Sequence, residues 1–351
     1  MLKRNLLFLA LILVLIAGGL IRRNQQQIKS EFYGSCMGTT YSVKISDPLT
    51  LRKSEQLKKA IESSLTHIDK LMSTWTPDSE ISQFNDTSSL HFSASAPFFE
   101  VTQAALSWAQ SSEGAYDPTI KPLLDLWGFG TSGERQIPAP SEIEQILKNI
   151  GSHQIATHEH TRIIEKLNPG ITLDLSGVAK GYSVDQIAAL LNREELANWF
   201  IEVGGEVRVQ GLNFYGDPWR IGIEKPNSAL FASNIQGIVS PPQGSIATSG
   251  NYRNFLNTNG VYYSHIIDPK TGNALEGALF GVSVYAQDCM SADAVATALN
   301  VMGVRNGLEW VEQINNMEAH FIVQVSENEC RDFFSSGYIE KTNYRTYVEG
   351  K

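Results

Sequence analysis

Cysteine is scarce: three in 351 residues, at Cys36, Cys289 and Cys330. An odd number so widely scattered permits at most one disulfide and forms no Cys-x-x-Cys pair. That excludes a disulfide-framed module and offers no zinc spacing, so buried thiols are the expectation. Positive charge is also short, with Lys+Arg 28 against Asp+Glu 37 and a formal net charge of -9. No basic block stands outside the N-terminus, which argues against a nucleic-acid or anionic-membrane surface. The small-residue stretch from Asp174 to Gly181 is neither a Walker A loop nor a Gly-x-Gly-x-x-Gly fingerprint. Internal repeats and heptad runs are missing too. What remains, at 42% hydrophobic and 19% charged residues, is an ordinary folding chain long enough for a large core.

The first thirty residues differ from the rest. Lys3-Arg4 precede an apolar run from Leu6 to Ile21, followed by Arg22-Arg23 and a polar tract at Gln25-Gln26-Gln27. This is the pattern of an export signal. The run is short against the roughly 20 apolar residues of a spanning helix. Cleavage after Ala17-Gly18-Gly19 and an uncleaved signal anchor both fit. Residues 1–30 therefore read as signal or anchor plus linker, and residues 31–351 as the folded domain.

Thr39 to Ile45 alternates like a strand. Leu51 to Met72 repeats Leu57, Ile61, Leu65, Ile68 and Leu71 at helical spacing. Further helices are expected over Pro97 to Trp108, Ser141 to Ile150 (with Glu144 three residues after Ser141) and Tyr182 to Leu191. Thr131 to Pro140 reads as a surface loop. In the second half, strand-like segments flank Gly204-Gly205, a hairpin signal, and recur at Trp219 to Glu224 and Gly281 to Ala286. The elements mix without regular βαβ spacing, which favours an α+β fold: one elaborate domain with mixed or antiparallel sheets and flanking helices. Residues 304–351 read as core completion and a surface end.

Ser291-Ala292-Asp293-Ala294-Val295-Ala296-Thr297 sets a carboxylate and a hydroxyl four residues apart on one face of an apolar helix closed by Gly303. Two such oxygens near a helix start suit a hard cation such as Mg²⁺ carrying a phosphate, although Asp near a helix start is also ordinary capping chemistry. Asp174 to Gly181 leads into a helix through small residues, a way to cradle phosphate with Lys180 as a point charge. From spacing alone a plain turn with Lys180 solvated is the simpler reading. Ala247-Thr248-Ser249-Gly250 looks like a second small-residue turn able to meet an anion. Gly114-Ala115-Tyr116-Asp117-Pro118 resembles a turn displaying an aromatic and a carboxylate. Met37 and Trp75 are candidates for an apolar wall. His265, in Tyr263 to Pro269, has Asp268 nearby and suits a general base toward a hydroxyl. His158 and His160 lack a third ligand and read as surface decoration.

Taken in order, these segments, together with Met37-Gly38-Thr39 and Ser79 to Asn85, resemble the ApbE family of FAD:protein FMN transferases. The likeness spans roughly residues 34 to 303. It implies an ApbE-like, T-fold-related architecture and a phosphoryl transfer: FAD is cleaved, AMP leaves, and FMN is joined by a phosphoester to a threonine or serine of an acceptor protein. By similarity Asp293 and Thr297 would bind Mg²⁺ through side-chain oxygens, helped by main-chain oxygens near Gly177 and Ala296. His265 would activate the acceptor hydroxyl. Lys180 and Asp174 would contact FAD. Met37, Trp75, Ala115, Tyr116 and Asp117 would surround the flavin or adenine, and Thr248, Ser249, Gly250 and Ile267 would line the nucleotide pocket. Asn85 matches a position tied to the balance between FAD binding and hydrolysis. The acceptors implied are electron-transport subunits such as those of sodium-pumping quinone reductases, on the periplasmic face of a bacterial inner membrane, with membrane contact only through the N-terminus. Many members close their signal with an acylated Cys, whereas here Gly18 is followed by Gly19. A signal anchor or a soluble periplasmic form then replaces the lipid. His265 favours transfer over a Mg²⁺-dependent FAD pyrophosphatase, and Asp293 with Thr297 disfavours a non-catalytic FAD carrier. Asn85 leaves the hydrolase open.

Overall fold

The computed structural model describes residues 27–131, 133–226, 235–250, 255–258, 261–276, 280–326 and 329–347. The signal expected in the first thirty residues falls almost wholly on 1–26, outside the described residues. The centre is an eight-stranded sheet. In spatial order it runs Gln27–Cys36, Thr39–Thr50, Trp199–Val203, Glu206–Gln210, Gln243–Gly250, Phe280–Ala286, Glu318–Ser326 and Glu329–Phe334. Each neighbouring pair is antiparallel. Three small antiparallel sheets stand around it, one of them built from Phe255–Thr258, Val261–Ile267 and Ala274–Glu276. The fold is α+β with antiparallel sheets and flanking helices.

Local sequence explains the main helices. In Leu51–Met72, Leu57, Ile61, Leu65, Ile68 and Leu71 recur every three or four residues and all are buried. Each such side chain contributes about 1.5–3 kcal/mol on burial. Thr50 caps the helix by accepting from the Lys53 N–H at 3.2 Å. Ala96–Ser111 is capped by Ser95, whose hydroxyl accepts from the Phe98 N–H. The Cys289–Val311 helix lays Ala292, Val295, Ala296 and Leu299 against Ala247, Val282, Val284 and Phe321 of the sheet. Gly303 (φ 73°, ψ 179°) interrupts it where the sequence places a helix end.

Two local expectations are corrected. Thr248-Ser249-Gly250 is not a turn but the end of the Gln243–Gly250 strand, laddered to Ser283, Val282 and Gly281. Pairing in a long sheet overrides the local turn preference of small residues. The helix expected from Ser141 begins at Pro140, and Glu142, not Glu144, reaches back to accept from the Ala139 N–H at 2.8 Å. A proline at the first helical position has its φ already set. The cysteines are all free, Cys289 buried and the other two half-buried. Residues 304–347 do complete the core, through the Glu318–Ser326 and Glu329–Phe334 strands and Tyr338, which is fully buried.

Candidate active site

Two helix starts meet over the middle of the large sheet. Ser176–Arg193 and Cys289–Val311 cross at Gly181, where a Cβ would lie 2.6 Å from the Cys289 carbonyl carbon and 2.7 Å from Met290 Cα. Only glycine permits that approach, and it lets the Gly181 N–H donate to Asp293 Oδ2 at 3.1 Å. Asp185, one turn further on, accepts from the Cys289 and Met290 N–H groups at 2.9 Å and so caps the second helix. Arg208 Nη1 donates to the same carboxylate at 2.5 Å. The sequence offered no signal for this cap beyond an acidic residue in a helix.

Asp293 is 5% exposed and lines a cavity of about 380 Å³. Thr297, one turn on, also lines it, and its hydroxyl donates to the Asp293 carbonyl at 3.2 Å. Lys180 comes from the neighbouring helix. Its ammonium donates to Glu206 and stands 3.7 Å from Asp293 Oδ1. Lys180 is therefore not the solvated side chain of the simpler reading: helix crossing brings two carboxylates to it, which spacing alone cannot reveal. Burial would lower the Lys180 pKa, but Asp293 and Glu206 outweigh it and hold the ammonium charged. Burial raises Asp293, with Lys180 and the Gly181 N–H opposing. Burial also pushes Glu206 up to about 7, opposed by Lys180 and reinforced by Asp293.

His265 lies on the Val261–Ile267 strand and its ring meets Phe129 edge-on at 6.5 Å between centroids. It lines the first cavity and also a second of about 620 Å³ that contains Met37 and Trp75. Leu124, Asp174, Ser176 and Lys180 are likewise common to both, so the two are lobes of one cleft. Trp75 is 70% exposed at the outer lobe. The Asp268 carboxylate closes its own turn, accepting from the Lys270 N–H at 2.9 Å and the Thr271 hydroxyl at 3.1 Å.

The structure gathers almost every residue singled out in the sequence. Ala115, Tyr116, Asp117, Asp174 and Gly177 line the inner lobe, as do Thr248, Ser249, Gly250 and Ile267. Two do not line either lobe. Asn85 acts from behind: its amide donates to the Leu173 carbonyl at 2.9 Å and accepts from the Leu173 N–H at 2.7 Å, fixing the segment that carries Asp174. Ala296 is buried against the sheet, a helical step of about 100° from Thr297. Tyr116 and Asp117 are not displayed as a surface turn but are 4% and 6% exposed. Asp117 spends its carboxylate on the Thr119 N–H and hydroxyl at 2.8 and 2.6 Å and on the Ser152 N–H at 2.9 Å. His158 is a strand residue paired with Glu165 at 2.8 Å, away from the cleft.

A buried carboxylate, a hydroxyl and a charged lysine around one cavity, with a histidine between two lobes, can bind a pyrophosphate and move a proton. The family comparison decides which chemistry this is. The model of the ApbE family matches residues 37–321. The chain belongs to the ApbE family. Among its relatives, the "FAD:protein FMN transferase" of Vibrio cholerae is 36% identical over 337 residues, covering 95% of this chain and 98% of that one. The protein of the same description from Escherichia coli K12 is 34% identical over 284 residues, 80% of each chain. Among solved structures, the flavin transferase ApbE of Vibrio cholerae superposes with a TM-score of 0.79 at 34% identity, covering 90% of this chain and 99% of that one. The apo flavinyl transferase ApbE of Pseudomonas stutzeri gives 0.80 at 30%, covering 90% and 98%.

The residues of this ApbE-family chain also fit the divalent cation that the family resemblance implies. The donors present are hard oxygens, the Asp293 carboxylate and the Thr297 hydroxyl. Gly177 faces them without a side chain: a Cβ there would come within 3.3 Å of Thr297 Oγ1 and 3.0 Å of Tyr116 Cε2, filling the space. Asp117, Asp174, Glu206 and Asp293 set four carboxylates around the cavity against the ammonium of Lys180, a charge balance that favours a cation. No cluster of three His, Cys, Asp or Glu side chains suited to a metal occurs among the described residues. Mg²⁺ needs none, since it uses one or two carboxylates and completes its shell with water and substrate phosphate.

Proposed function

We infer that this chain is an FAD:protein FMN transferase that uses Mg²⁺ and acts on an exported electron-transport subunit. The observation that carries this is the meeting of Asp293, Thr297, Lys180 and His265 at one cleft, in a chain whose relatives bear that activity in their names. The cation, held by Asp293 and Thr297, would supply charge neutralisation on the pyrophosphate. Lys180 adds a fixed positive charge at the waist of the cleft. Asp174, held by Asn85 through Leu173, borders both lobes and orients the nucleotide. The acceptor's threonine or serine oxygen attacks the phosphorus of the FMN half. The bond from that phosphorus to the bridging oxygen breaks, and AMP departs with that oxygen. The hydroxyl proton passes to His265, which the outer lobe leaves accessible to a protein chain. The apolar run from Leu6 to Ile21 would carry the domain to the periplasmic face, as signal or as anchor.

The test is to incubate the protein with FAD, Mg²⁺ and a candidate subunit of a sodium-pumping quinone reductase, then weigh the intact acceptor. An FMN adduct with AMP release, both lost with EDTA, is expected. AMP and free FMN, with no adduct on any such subunit tried, would make the protein a pyrophosphatase.

A further inference from the structure

Glu206 has no role in the chemistry above, yet its side chain is 3% exposed and lines the cavity beside Asp293. One oxygen accepts from Lys180, while Oε2 is buried without a hydrogen-bond partner among the described residues. A buried carboxylate kept half-satisfied calls for a reason. Lys180 supplies it. Its stem passes over Gly204, where a Cβ would lie 3.1 Å from Lys180 Cδ, so the Gly204–Glu206 hairpin both clears a path for the lysine and grips its end.

On the other side of the ammonium is Asp293. Oδ2 accepts from the Gly181 N–H, and Oδ1 stands in a loose 3.7 Å ion pair with that ammonium. At 3.7 Å the ammonium is beyond hydrogen-bond reach of Oδ1. A movement of about 1 Å would close that gap, and a flexible four-carbon stem allows it easily. Released from Glu206, Lys180 would settle on Oδ1, the oxygen a cation needs. We propose that Glu206 is a positioning residue that holds Lys180 off Asp293 and so keeps Oδ1 free for the divalent cation. This rests on the reading of Asp293 as a cation ligand.

Mn²⁺ is the probe, its free concentration followed by electron paramagnetic resonance in titrations of the full-length chain, purified in detergent without nucleotide. Glu206→Gln is expected to weaken Mn²⁺ binding about tenfold, within the range for residues sharing one ion-pair network. Lys180→Met should then strengthen binding far more in the Glu206→Gln background than in the wild type, because there it removes a competitor. Glu206→Asp, which keeps the charge but shortens the tether, should also weaken binding, and it carries the test if the glutamine variant fails to fold. Additive effects in the double-variant cycle, with Glu206→Asp at wild-type affinity, would mean that Glu206 acts by charge alone and would overturn the proposal. Undiminished Mn²⁺ binding in Asp293→Asn would instead remove the cation from Asp293 and take both readings down together.

Discussion

At the scale of single residues, the cleft separates a proton-handling group from charge-handling groups. His265→Ala should lower the rate of transfer by about 10²–10⁴-fold, the usual contribution of a positioned general base. FAD affinity, measured by flavin fluorescence, should change little, since Asp174 and Lys180 remain; undiminished single-turnover transfer would place the base elsewhere. A second histidine makes a different prediction. His320 is wholly buried, stacked on Phe334 at 4.3 Å and paired through Nε2 with Asp332 at 2.7 Å. Burial lowers its pKa despite Asp332. A histidine that is less basic folded than unfolded leaves the unfolded chain binding more protons just below the ordinary histidine value of about 6.5. Stability should therefore fall as pH drops from about 6.5 toward the lowered value. Thermal melts of His320→Gln should show a shallower dependence there, and an unchanged slope would assign it to other groups. The Asp293–Thr297 pair was legible because both residues lie on one helix at i, i+4. Glu206 was not, because its partner comes from another element and only folding brings Lys180 within reach.

At the scale of elements, the site is made by the ends of helices, and those ends are fixed by caps that local sequence signals only in part. Asp288 caps the Cys289–Val311 helix in the ordinary way, its carboxylate accepting from the Ser291 N–H at 2.8 Å. Asp185 caps the same helix from outside, through Cys289 and Met290. Asp185→Ala would leave those N–H groups unpaired and strip Arg208 of its partner. It should cost about 1–3 kcal/mol in urea unfolding, with a loss of cation affinity as Asp293 shifts; an unchanged midpoint would show that water replaces the cap. Helical periodicity reported Leu51–Met72 well, since its buried residues form one continuous apolar stripe, whereas the helix expected from Ser291 to Met302 starts at Cys289 and is buried on most of its sides. Turn composition misled at Thr248-Ser249-Gly250, where small polar residues look like a turn and the ladder to Phe280–Ala286 makes them strand.

Across the whole molecule, the Gln27–Cys36 strand leads straight to Met37 at the outer lobe, so its start lies roughly 30 Å from the cleft at the rise of an extended chain. An N-terminal anchor would thus hold the cleft well away from its point of attachment. Residues from Met37 to Thr297 converge on that cleft although they are spread over most of the chain. By itself the sequence determined the class of fold, the main helices and the chemical types present, because periodicity, capping and hard-oxygen spacing are local properties carried in a few consecutive residues. Which of those groups face one another only the tertiary structure decided. Lys180 between Glu206 and Asp293, Asn85 behind Leu173, and Asp117 tied to the Ser152 N–H all depend on elements crossing at fixed distances, and no local pattern encodes a contact between segments so far apart in the chain.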